Sequence, residues 1–256
     1  MSKENGNSDS AFVHLENLTK SIGTQEILRG VSLEIRKGET MVLIGSSGGG
    51  KSVTLKHITG LMRPDNGRVL IKGQDIASLT GRQLATVRQR IGLLFQSGAL
   101  FDSMTVGQNV AFPLRERSQG APGKLTEKVI EALELVNLAD HINKMPIDLS
   151  GGMRKRVALA RAMITHPELM LYDEPTAGLD PVASGAIDKL ILQMQEHYGV
   201  TSVVVTHDMQ SAEKIADRIA FLHEGMVYFC GTPAELRDCR DSAVINFISG
   251  HSAFPS

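Results

Sequence analysis

The sequence predicts an α/β protein built around a parallel sheet that helices cover on both faces. Two observations lead to this prediction. Short apolar runs occur at 41–44, 91–95, 169–172 and 200–205, and segments of helical composition separate them. Polar or glycine residues follow directly after each of these runs, and ligands of parallel sheets bind at the carboxyl ends of the strands. We therefore expect the residues that follow the runs to form one site.

The chain before the first buried strand predicts a separate antiparallel layer. Residues 1–10 are polar and are expected to be flexible. Alternating apolar residues then predict strands over 12–18 and 27–35, with turns at Gly30 and at 37–38. An antiparallel β subdomain is therefore expected to lead into the parallel sheet.

The rest of the chain predicts one domain over 11–246, with an inserted helical subdomain at about 97–160 and a tail at 247–256. A looser section rich in small and turn-forming residues is expected at 97–113, before an apolar helical face that starts at Leu125. The remaining predicted segments are a strand at 68–71, helices at 84–90, 186–198 and 209–216, a two-stranded return at 219–229 and a helix start at Thr232.

A glycine-rich turn between the first buried strand and the next helix has the spacing G-x-x-x-x-G-K-S over 45–52. Glycines allow consecutive backbone N–H groups to point at one anion, and the following helix directs its positive end to the same place. We expect Lys51 to reach the β- and γ-phosphates of a nucleotide, and the Ser52 hydroxyl to hold Mg²⁺. The alternative, a glycine-rich turn with a chance lysine, is disfavoured by the strand–turn–helix context. The predicted nucleotide-binding residues here are Gly45, Ser46, Ser47, Gly48, Gly49, Gly50, Lys51, Ser52 and Val53.

Two carboxylates, Asp173 and Glu174, follow the apolar run 169–172. At the end of a buried strand, Asp173 can hold Mg²⁺ directly or through water. Glu174 is placed to act as a general base toward the water that attacks the γ-phosphate. The alternative is a pair of charges that ends a strand, since carboxylates are common where loops begin. The phosphate-binding turn upstream favours the catalytic interpretation.

A second anion-binding turn is predicted at 149–153, where Leu-Ser-Gly-Gly-Met opens a helix. Ser150 offers a hydroxyl, and Gly151 and Gly152 offer backbone N–H groups at the positive end of that helix. An ordinary N-cap is the simplest alternative for such a turn. A single nucleotide does not obviously need two phosphate-binding turns from the same chain.

The order of five motifs resembles that of the ATPase subunits of ABC transporters, over roughly residues 11–240. The five are the 45–52 turn, Gln96, the 149–153 turn, the 173–174 carboxylates and His207. The resemblance implies a P-loop NTPase fold with a RecA-like core, and ATP bound between two copies arranged head to tail. It implies Mg²⁺ at Ser52, Gln96 and Asp173, catalytic roles for Glu174 and for His207 at the γ-phosphate, and residues Ser150, Gly151, Gly152 and Asp180 acting across the dimer.

Residues 94–106 and 109–116 resemble, more narrowly, the ATPases of Mla-type systems. These Mce-associated transporters move phospholipids between the membranes of Gram-negative bacteria. The resemblance implies a separate integral membrane permease on which the helical subdomain docks, with an Mce-type lipid-binding protein and a small accessory subunit as further partners. The chain would then lie at the cytoplasmic face of the inner membrane. The alternative for Phe95, Leu100, Phe101 and Phe112 is that they are merely core residues of a helical subdomain.

Three positions depart from the common ABC pattern. Ile22 stands where many members stack an aromatic ring on adenine, so aliphatic contact would replace stacking and the base selectivity stays open. Met153 ends the second turn where glutamine is commoner. The Mla-like members often carry a residue other than glutamine there, so this departure agrees with that resemblance. Residues 177–178 are Ala-Gly where Ser-Ala is more usual.

Composition restricts the other classes of function. The formal net charge is −1, without the basic excess that a nucleic-acid partner would suggest. Cys230 and Cys239 fit no metal-ligand spacing. Two cysteines in a chain of this size do not suggest a disulfide framework, so a reducing compartment is expected. No apolar run approaches the ~18 residues of a membrane span, and residues 1–10 lack the apolar core of a signal peptide. An ABC ATPase that acts on DNA or ribosomes is therefore a weak alternative, and a transporter ATPase for another cargo, such as an amino acid or a metal chelate, is the serious one.

Overall fold

The computed structural model describes residues 11–117 and 122–249. The segment 1–10, which the sequence predicts to be flexible, lies outside the described residues, and so do residues 250–256 of the predicted tail. The strands are β1 (Val13–Ile22), β2 (Gln25–Ile35), β3 (Thr40–Ile44), β4 (Asn66–Ile71), β5 (Gln74–Asp75), β6 (Ile91–Leu94), β7 (Leu169–Asp173), β8 (Thr201–Val205), β9 (Arg218–His223) and β10 (Met226–Gly231). The α-helices are α1 (Lys51–Ile58), α2 (Gly81–Arg88), α3 (Val106–Glu116), α4 (Pro122–Leu135), α5 (Gly151–Met163), α6 (Pro181–Tyr198), α7 (Met209–Ile215), α8 (Pro233–Arg237) and α9 (Ser242–Ile248).

The strands form two sheets. One is a four-stranded antiparallel sheet of order β2-β1-β4-β5. The other has six strands in the order β10-β9-β3-β8-β7-β6, in which every neighbouring pair is parallel except β10 with β9. The antiparallel layer and the parallel sheet predicted from the sequence are both confirmed. Among the described residues, no helix has both the length and the hydropathy needed to cross a membrane.

The six-stranded sheet is the middle of three layers, and β3 shows how. All five residues of β3 are buried, and successive side chains of a strand point to opposite faces. Met41 and Leu43 pack in the core shared with the antiparallel sheet and α1. Val42 and Ile44 pack in the core shared with helices α3 to α7. A strand covered on both faces reads as a continuous apolar run, which is the pattern seen in the sequence.

The sequence predicts a loose section over 97–113, and this prediction is wrong for its second half, because α3 begins at Val106. Its start is a capping box, in which the Thr105 hydroxyl accepts from the Gln108 N–H at 3.2 Å and the Gln108 side chain accepts from the Thr105 N–H at 2.9 Å. Fully buried Asn109 then ties the preceding turn to α3, donating to the carbonyls of Phe101, Met104 and Thr105. The glycines, serines and proline of this section favour turns, so the sequence did not indicate a helix there.

Gly30 is not a turn, because β2 runs through it. The pairing with β1 shifts register between Leu18–Val31 and Thr19–Arg29, so Gly30 is the extra residue of a bulge. Its φ of +104° lies in the region that favours glycine. A bulge and a turn both need a glycine, so the sequence signal was the same for the two.

The C-terminal boundary predicted at 246/247 falls inside α9, which ends at Ile248. The Phe247 ring lies 4.9 Å from the Phe221 ring, between centroids, and so packs against β9. Helices α3, α4 and α5 lie between β6 and β7, where the helical subdomain is expected, and α5 extends to Met163. The boundaries of the subdomain at 97–160 stay a prediction.

Candidate nucleotide-hydrolysis site

Four polar or glycine positions follow the carboxyl ends of four adjacent parallel strands. Gly45 follows β3, Gln96 lies two residues beyond β6, Glu174 follows β7, and His207 lies two residues beyond β8. The strands are neighbours in the order β3-β8-β7-β6. The sheet therefore brings the ends of these strands to one edge, as expected from the sequence.

The turn at 45–52 requires glycine at specific positions. Gly45 has φ of +149°, and a Cβ atom there would lie 2.0 Å from the carbonyl oxygen of Leu222. Gly50 has φ of +97° and serves as the N-cap of α1, and its Cβ would meet Leu28 at 2.6 Å. Gly48 is also left-handed, with φ of +79°, but has open space around it. The backbone thus folds back tightly at the start of α1, with N–H groups at a helix N-terminus.

Lys51 lies inside this turn. The residue is 8% exposed, and its Nζ donates hydrogen bonds to the carbonyl oxygens of Gly45 at 2.7 Å and Ser46 at 2.9 Å. Burial lowers the pKa of Lys51, while the negative charges of Glu174 and Asp173 act in the opposite direction. The ammonium group is therefore held where an anion on the turn would meet it.

Ser52 and Asp173 form the contact between α1 and β7. The Ser52 hydroxyl donates to Asp173 Oδ1 at 3.0 Å. Gln96 is exposed and lines the same surface recess as Asp173. Hydroxyl, carboxylate and amide oxygens are the ligand types that Mg²⁺ prefers. Among the described residues, no three or more His, Cys, Asp or Glu side chains form a group that could hold a metal ion.

Glu174 and His207 come together at the ends of β7 and β8. His207 Nδ1 lies 2.8 Å from Glu174 Oε2. That oxygen lacks a hydrogen bond of good geometry, so the contact is a close approach of the two side chains rather than an aligned hydrogen bond. The Glu174 side chain is 15% exposed and that of His207 is 68% exposed. The pair thus joins a carboxylate at the base of the site to an imidazole at its surface.

The second turn does not join this cluster within the same chain. Ser150 is the exposed N-cap of α5, and its hydroxyl accepts from the Met153 N–H at 3.3 Å. A Cβ atom on Gly151 would meet Leu179 at 3.5 Å, and one on Gly152 would meet Ala183 at 3.1 Å. The neighbours of the turn are therefore the segment after β7 and the first turn of α6.

The remaining predicted positions have plain structural placements. Asp180 is the N-cap of α6 and accepts from the N–H groups of Val182 and Ala183, both at 2.9 Å. Val53 is partly buried against the core beneath the antiparallel sheet. Ile22 is half exposed at the end of β1, at the tip of the hairpin. Within the 45–52 turn, the exposed residues are Ser46, Ser47 and Gly48.

Lys155 contacts the site but is not among the residues predicted from the sequence. It is buried on α5, and its Nζ donates to the main-chain carbonyl of Glu174 at 2.9 Å. A helical-face signal was available, because Ala158 and Leu159 lie three and four residues further on and are buried. A lysine on an apolar helix face needs a buried acceptor.

This arrangement provides the parts needed to hydrolyse a phosphoanhydride. A turn of backbone N–H groups and a lysine can hold phosphates, two oxygen groups can hold a cation, and a carboxylate is close enough to accept a proton from water. The turn at 149–153, which the sequence predicts to bind a second phosphate, lies beside Leu179 and Ala183 and exposes Ser150.

Comparisons with known proteins agree with the site. The family described as ABC transporter matches residues 28–177. The chain is 40% identical over 244 residues to the intermembrane phospholipid transport system ATP-binding protein MlaF of Haemophilus influenzae, covering 95% of this chain and 92% of that protein. It is 39% identical over 243 residues to the probable ribonucleotide transport ATP-binding protein mkl of Mycobacterium leprae, covering 95% of this chain and 70% of that protein.

Comparison with solved structures also indicates an ABC ATPase. The dimeric structure of the ATP-binding cassette MJ0796 in a post-hydrolysis state, bound to ADP and Pi, matches with a TM-score of 0.79 at 34% identity, covering 86% of this chain and 98% of that one. The predicted resemblance to ABC ATPases, and to the Mla type among them, is confirmed. The chain belongs to the ABC transporter family and is one of its ATP-binding, ATP-hydrolysing subunits.

Proposed function

We propose that this protein hydrolyses ATP between two of its own copies and so drives a phospholipid transporter. The observation that carries the two-copy site is that the two turns predicted to bind phosphate begin different helices, α1 and α5. The turn at 45–52 lies at the strand ends, whereas Ser150 caps a different helix and is exposed. Both turns are used if the 150–152 turn of one copy covers the nucleotide held by the other, with Asp180 beside it. The dimeric state of the similar MJ0796 cassette supports this arrangement.

In this proposal the first copy supplies the phosphate contacts. The N–H groups of residues 48–52 and the Lys51 ammonium hold the β- and γ-phosphates. Lys51 exchanges its two carbonyl acceptors, on Gly45 and Ser46, for phosphate oxygens. A charged donor gains more from a phosphate than from a neutral carbonyl, so the exchange favours the bound state.

Mg²⁺ fits the oxygen groups that surround Asp173. Ser52 and Asp173 already lie 3.0 Å apart, and Gln96 borders the same recess. A small set of protein oxygens is sufficient because Mg²⁺ keeps waters and phosphate oxygens as its other ligands. When bound, the ion would neutralise negative charge on the phosphates.

Glu174 is the proposed general base. Its carboxylate accepts a proton from a water molecule, the water oxygen bonds to the γ-phosphorus, and the bond from that phosphorus to the oxygen bridging to the β-phosphate breaks. ADP and inorganic phosphate are released. His207, which is close to Glu174 and largely exposed, contacts the γ-phosphate and keeps the carboxylate directed toward the water.

Phospholipid is the cargo that we propose. Support comes from the 40% identity to a phospholipid transport ATPase over nearly its whole length. A separate permease in the inner membrane would receive the work of hydrolysis, with this chain on its cytoplasmic face. Phe95 and Phe101 are 42% and 41% exposed near the helical subdomain and offer an apolar surface to that permease. An Mce-type lipid-binding protein and a small accessory subunit complete the proposed assembly.

A ribonucleotide is the second candidate cargo. The mkl relative, described as a probable ribonucleotide transport protein, is nearly as similar, at 39% identity. The cargo site would lie in other subunits. A transport assay on the whole complex in liposomes therefore has to distinguish phospholipid from ribonucleotide.

The experiment uses the tagged chain purified from solubilised source membranes together with its bound subunits, which are identified by mass spectrometry. The complex is placed in liposomes that contain a fluorescent phospholipid, and ATP-dependent lipid movement is followed. We expect a permease and a lipid-binding subunit to co-purify, and movement that needs ATP and is lost in Glu174→Gln. ATP-dependent uptake of labelled ribonucleotide without lipid movement would overturn the phospholipid assignment.

A further inference from the structure

Lys155, in the second turn of α5, is a buried charge that the proposed reaction does not use. The residue is 5% exposed, and its Nζ donates to the carbonyl oxygen of Glu174 at 2.9 Å. Burial lowers the pKa of Lys155, and the negative charge of Glu174 opposes that effect. Because a lysine is rarely buried without a partner, the bond to Glu174 accounts for its position.

The main chain of Glu174 is held in an unusual conformation. Its φ is +50°, a left-handed value that side-chain-bearing residues seldom adopt. Its N–H donates to the Val205 carbonyl at 2.9 Å, and its carbonyl accepts from the Ala177 N–H at 3.2 Å as well as from Lys155. A strained conformation persists where the surroundings hold it from several sides. One of those supports is a side chain from α5.

The two neighbours of Lys155 act elsewhere. Arg154 Nη1 donates to the Leu149 carbonyl at 2.6 Å. Arg156 Nη1 donates to the Val136 carbonyl at 2.9 Å, at the end of the α4 segment. Of the three basic residues at 154–156, Lys155 is therefore the one bonded to the segment that carries the carboxylate.

The same helix also carries the second phosphate-binding turn. Ser150 is the N-cap of α5, and Lys155 lies five residues further, about 7.5 Å along the helix axis. The inference that follows rests on the proposed function, in which the 150–152 turn of one copy meets the nucleotide of the other. A short segment of rigid helix then separates the partner's γ-phosphate from the main chain of this copy's Glu174.

We propose that Lys155 is a positioning residue that makes the orientation of the Glu174 carboxylate depend on the position of α5. When the γ-phosphate bound by the second copy seats on residues 150–152, α5 shifts toward it. Lys155 carries this shift to the Glu174 carbonyl and aligns the carboxylate with the nucleotide of its own copy. Each site then hydrolyses ATP faster when the other is occupied.

The test compares four variants in the full-length protein: Lys155→Met, Lys155→Gln, Lys155→Arg and Arg156→Met. Lys155→Met keeps the length and the apolar stem of the side chain but removes the donor. Lys155→Gln leaves a polar group in the buried position while being too short to reach the carbonyl, and it serves if Lys155→Met does not fold. Arg156→Met is the matched control, because it removes a donor-to-carbonyl bond from the same helix without touching Glu174.

We expect Lys155→Met to lower kcat for ATP hydrolysis by about 10- to 100-fold, the effect of a small misplacement of a catalytic group. The affinity of a single copy for ATP stays unchanged, because the 45–52 turn is intact. We expect the wild-type rate to depend sigmoidally on ATP concentration, and this sigmoidal dependence to weaken in Lys155→Met. Lys155→Arg, which keeps a charged donor, recovers most of kcat, and Arg156→Met retains it.

Three results would overturn the inference, and they can be told apart. If the wild type hydrolyses ATP and Lys155→Met matches it in kcat and in ATP dependence, Lys155 does not position Glu174. A parallel fall in kcat, ATP affinity and melting temperature would also overturn it, since that is the pattern of a structural defect. If the wild type itself hydrolyses no ATP, the proposed function fails, and the inference fails with it.

Discussion

His207 Nδ1 lies 2.8 Å from Glu174 Oε2, and this contact joins the ends of two adjacent parallel strands. Asp173 and Val205 are register partners at the ends of β7 and β8, so the residues just beyond them are brought together by the pairing of the strands. The carboxylate is mostly buried and the imidazole mostly exposed. A ligand that approaches from solvent can therefore contact His207 directly. A movement of the His207 side chain would change its contact with Glu174.

Replacing Glu174 by Gln is expected to lower kcat by about 10²- to 10⁴-fold, because the amide cannot accept the proton of the attacking water. ATP binding should be retained, since Glu174 is not a phosphate ligand in the proposed site. Phosphate release measured at saturating ATP checks the rate, and equilibrium nucleotide titration checks the binding.

The matched control for this variant is Glu168→Gln, just before β7 and so at the opposite edge of the sheet. Glu168 forms ion pairs with Lys72 and Arg90 on the surface. Because surface ion pairs contribute little to stability, the Glu168→Gln variant should keep kcat within about 2-fold of the wild type. Wild-type turnover by Glu174→Gln would remove Glu174 from the catalytic role.

Lys51→Ala is expected to weaken ATP binding by about 10- to 100-fold, which corresponds to the loss of roughly 1.5–3 kcal/mol from hydrogen bonds to a charged group. Fluorescence titration with an ATP analogue measures the change. Lys56→Ala is the control on the same helix, because Lys56 is exposed and lies in the last turn of α1. Equal affinities for the two variants would mean that Lys51 does not contact the phosphates.

Gly45→Ala should destabilise the fold far more than Gly48→Ala. A Cβ atom at Gly45 would lie 2.0 Å from the Leu222 carbonyl oxygen, whereas none of the surrounding atoms lies within 4 Å of the Cβ position at Gly48. We expect a loss of about 3 kcal/mol or more at Gly45 from overpacking against backbone. At Gly48 the expected loss is about 1–2 kcal/mol, from the left-handed conformation alone. Urea unfolding followed by circular dichroism separates the two, and equal losses would contradict the packing around Gly45.

His57, buried on the phosphate-loop helix, should make the protein less stable in acid. Burial lowers its pKa, Lys20 lowers it further, and the bond to the Val53 carbonyl and the charge of Asp65 act against this. The unfolded state therefore binds the proton more readily than the folded state. Stability from this group is complete above the unfolded pKa of about 6.5 and is lost as the pH falls below that value, by at most about 1.4 kcal/mol per pH unit.

The measurement for His57 is the free energy of unfolding at pH 8 and at pH 5.5. We expect His57→Gln to lose less stability than the wild type between these two values. His197→Gln is the control, since His197 is exposed near the end of α6, and it should follow the wild-type profile. A wild-type profile for His57→Gln would show that His57 is not the group responsible.

Local patterns predicted most of the fold and the parts of the site. The spacing at 45–52 and the strand-end positions of Glu174 and His207 are local or follow from the order of the strands, so the sequence alone pointed to them. The start of α3 at Val106 was missed, although Thr105 and Gln108 form its capping box. Small residues in that section have weak helix preference, and the helix is stabilised by tertiary packing around buried Asn109.

Contacts between distant segments could not be predicted from the sequence. The bond from Lys155 to the Glu174 carbonyl spans 19 residues of chain, and the packing of Phe247 on Phe221 depends on where α9 returns to the sheet. The φ of +50° at Glu174 has no signal in the amino-acid type, because glutamate rarely adopts it. These features arise only when the whole chain is assembled.

The claim that two copies share each ATP site is tested most directly by mixing two inactive variants. Lys51→Ala damages the turn at 45–52, and Ser150→Arg blocks the 150–152 turn. A symmetric dimer of either variant therefore has no intact site. In a mixed head-to-tail dimer, the phosphate loop of the Ser150→Arg copy meets the second turn of the Lys51→Ala copy, and one site is whole. ATP hydrolysis measured across mixing ratios should rise from near zero for either variant alone to a maximum at equal amounts. Because the other site of the mixed dimer is damaged on both sides and stays empty, the coupling through Lys155 should keep this maximum well below the wild-type rate. If every mixture stays as inactive as the separate variants while both remain folded, the site is not shared in this way.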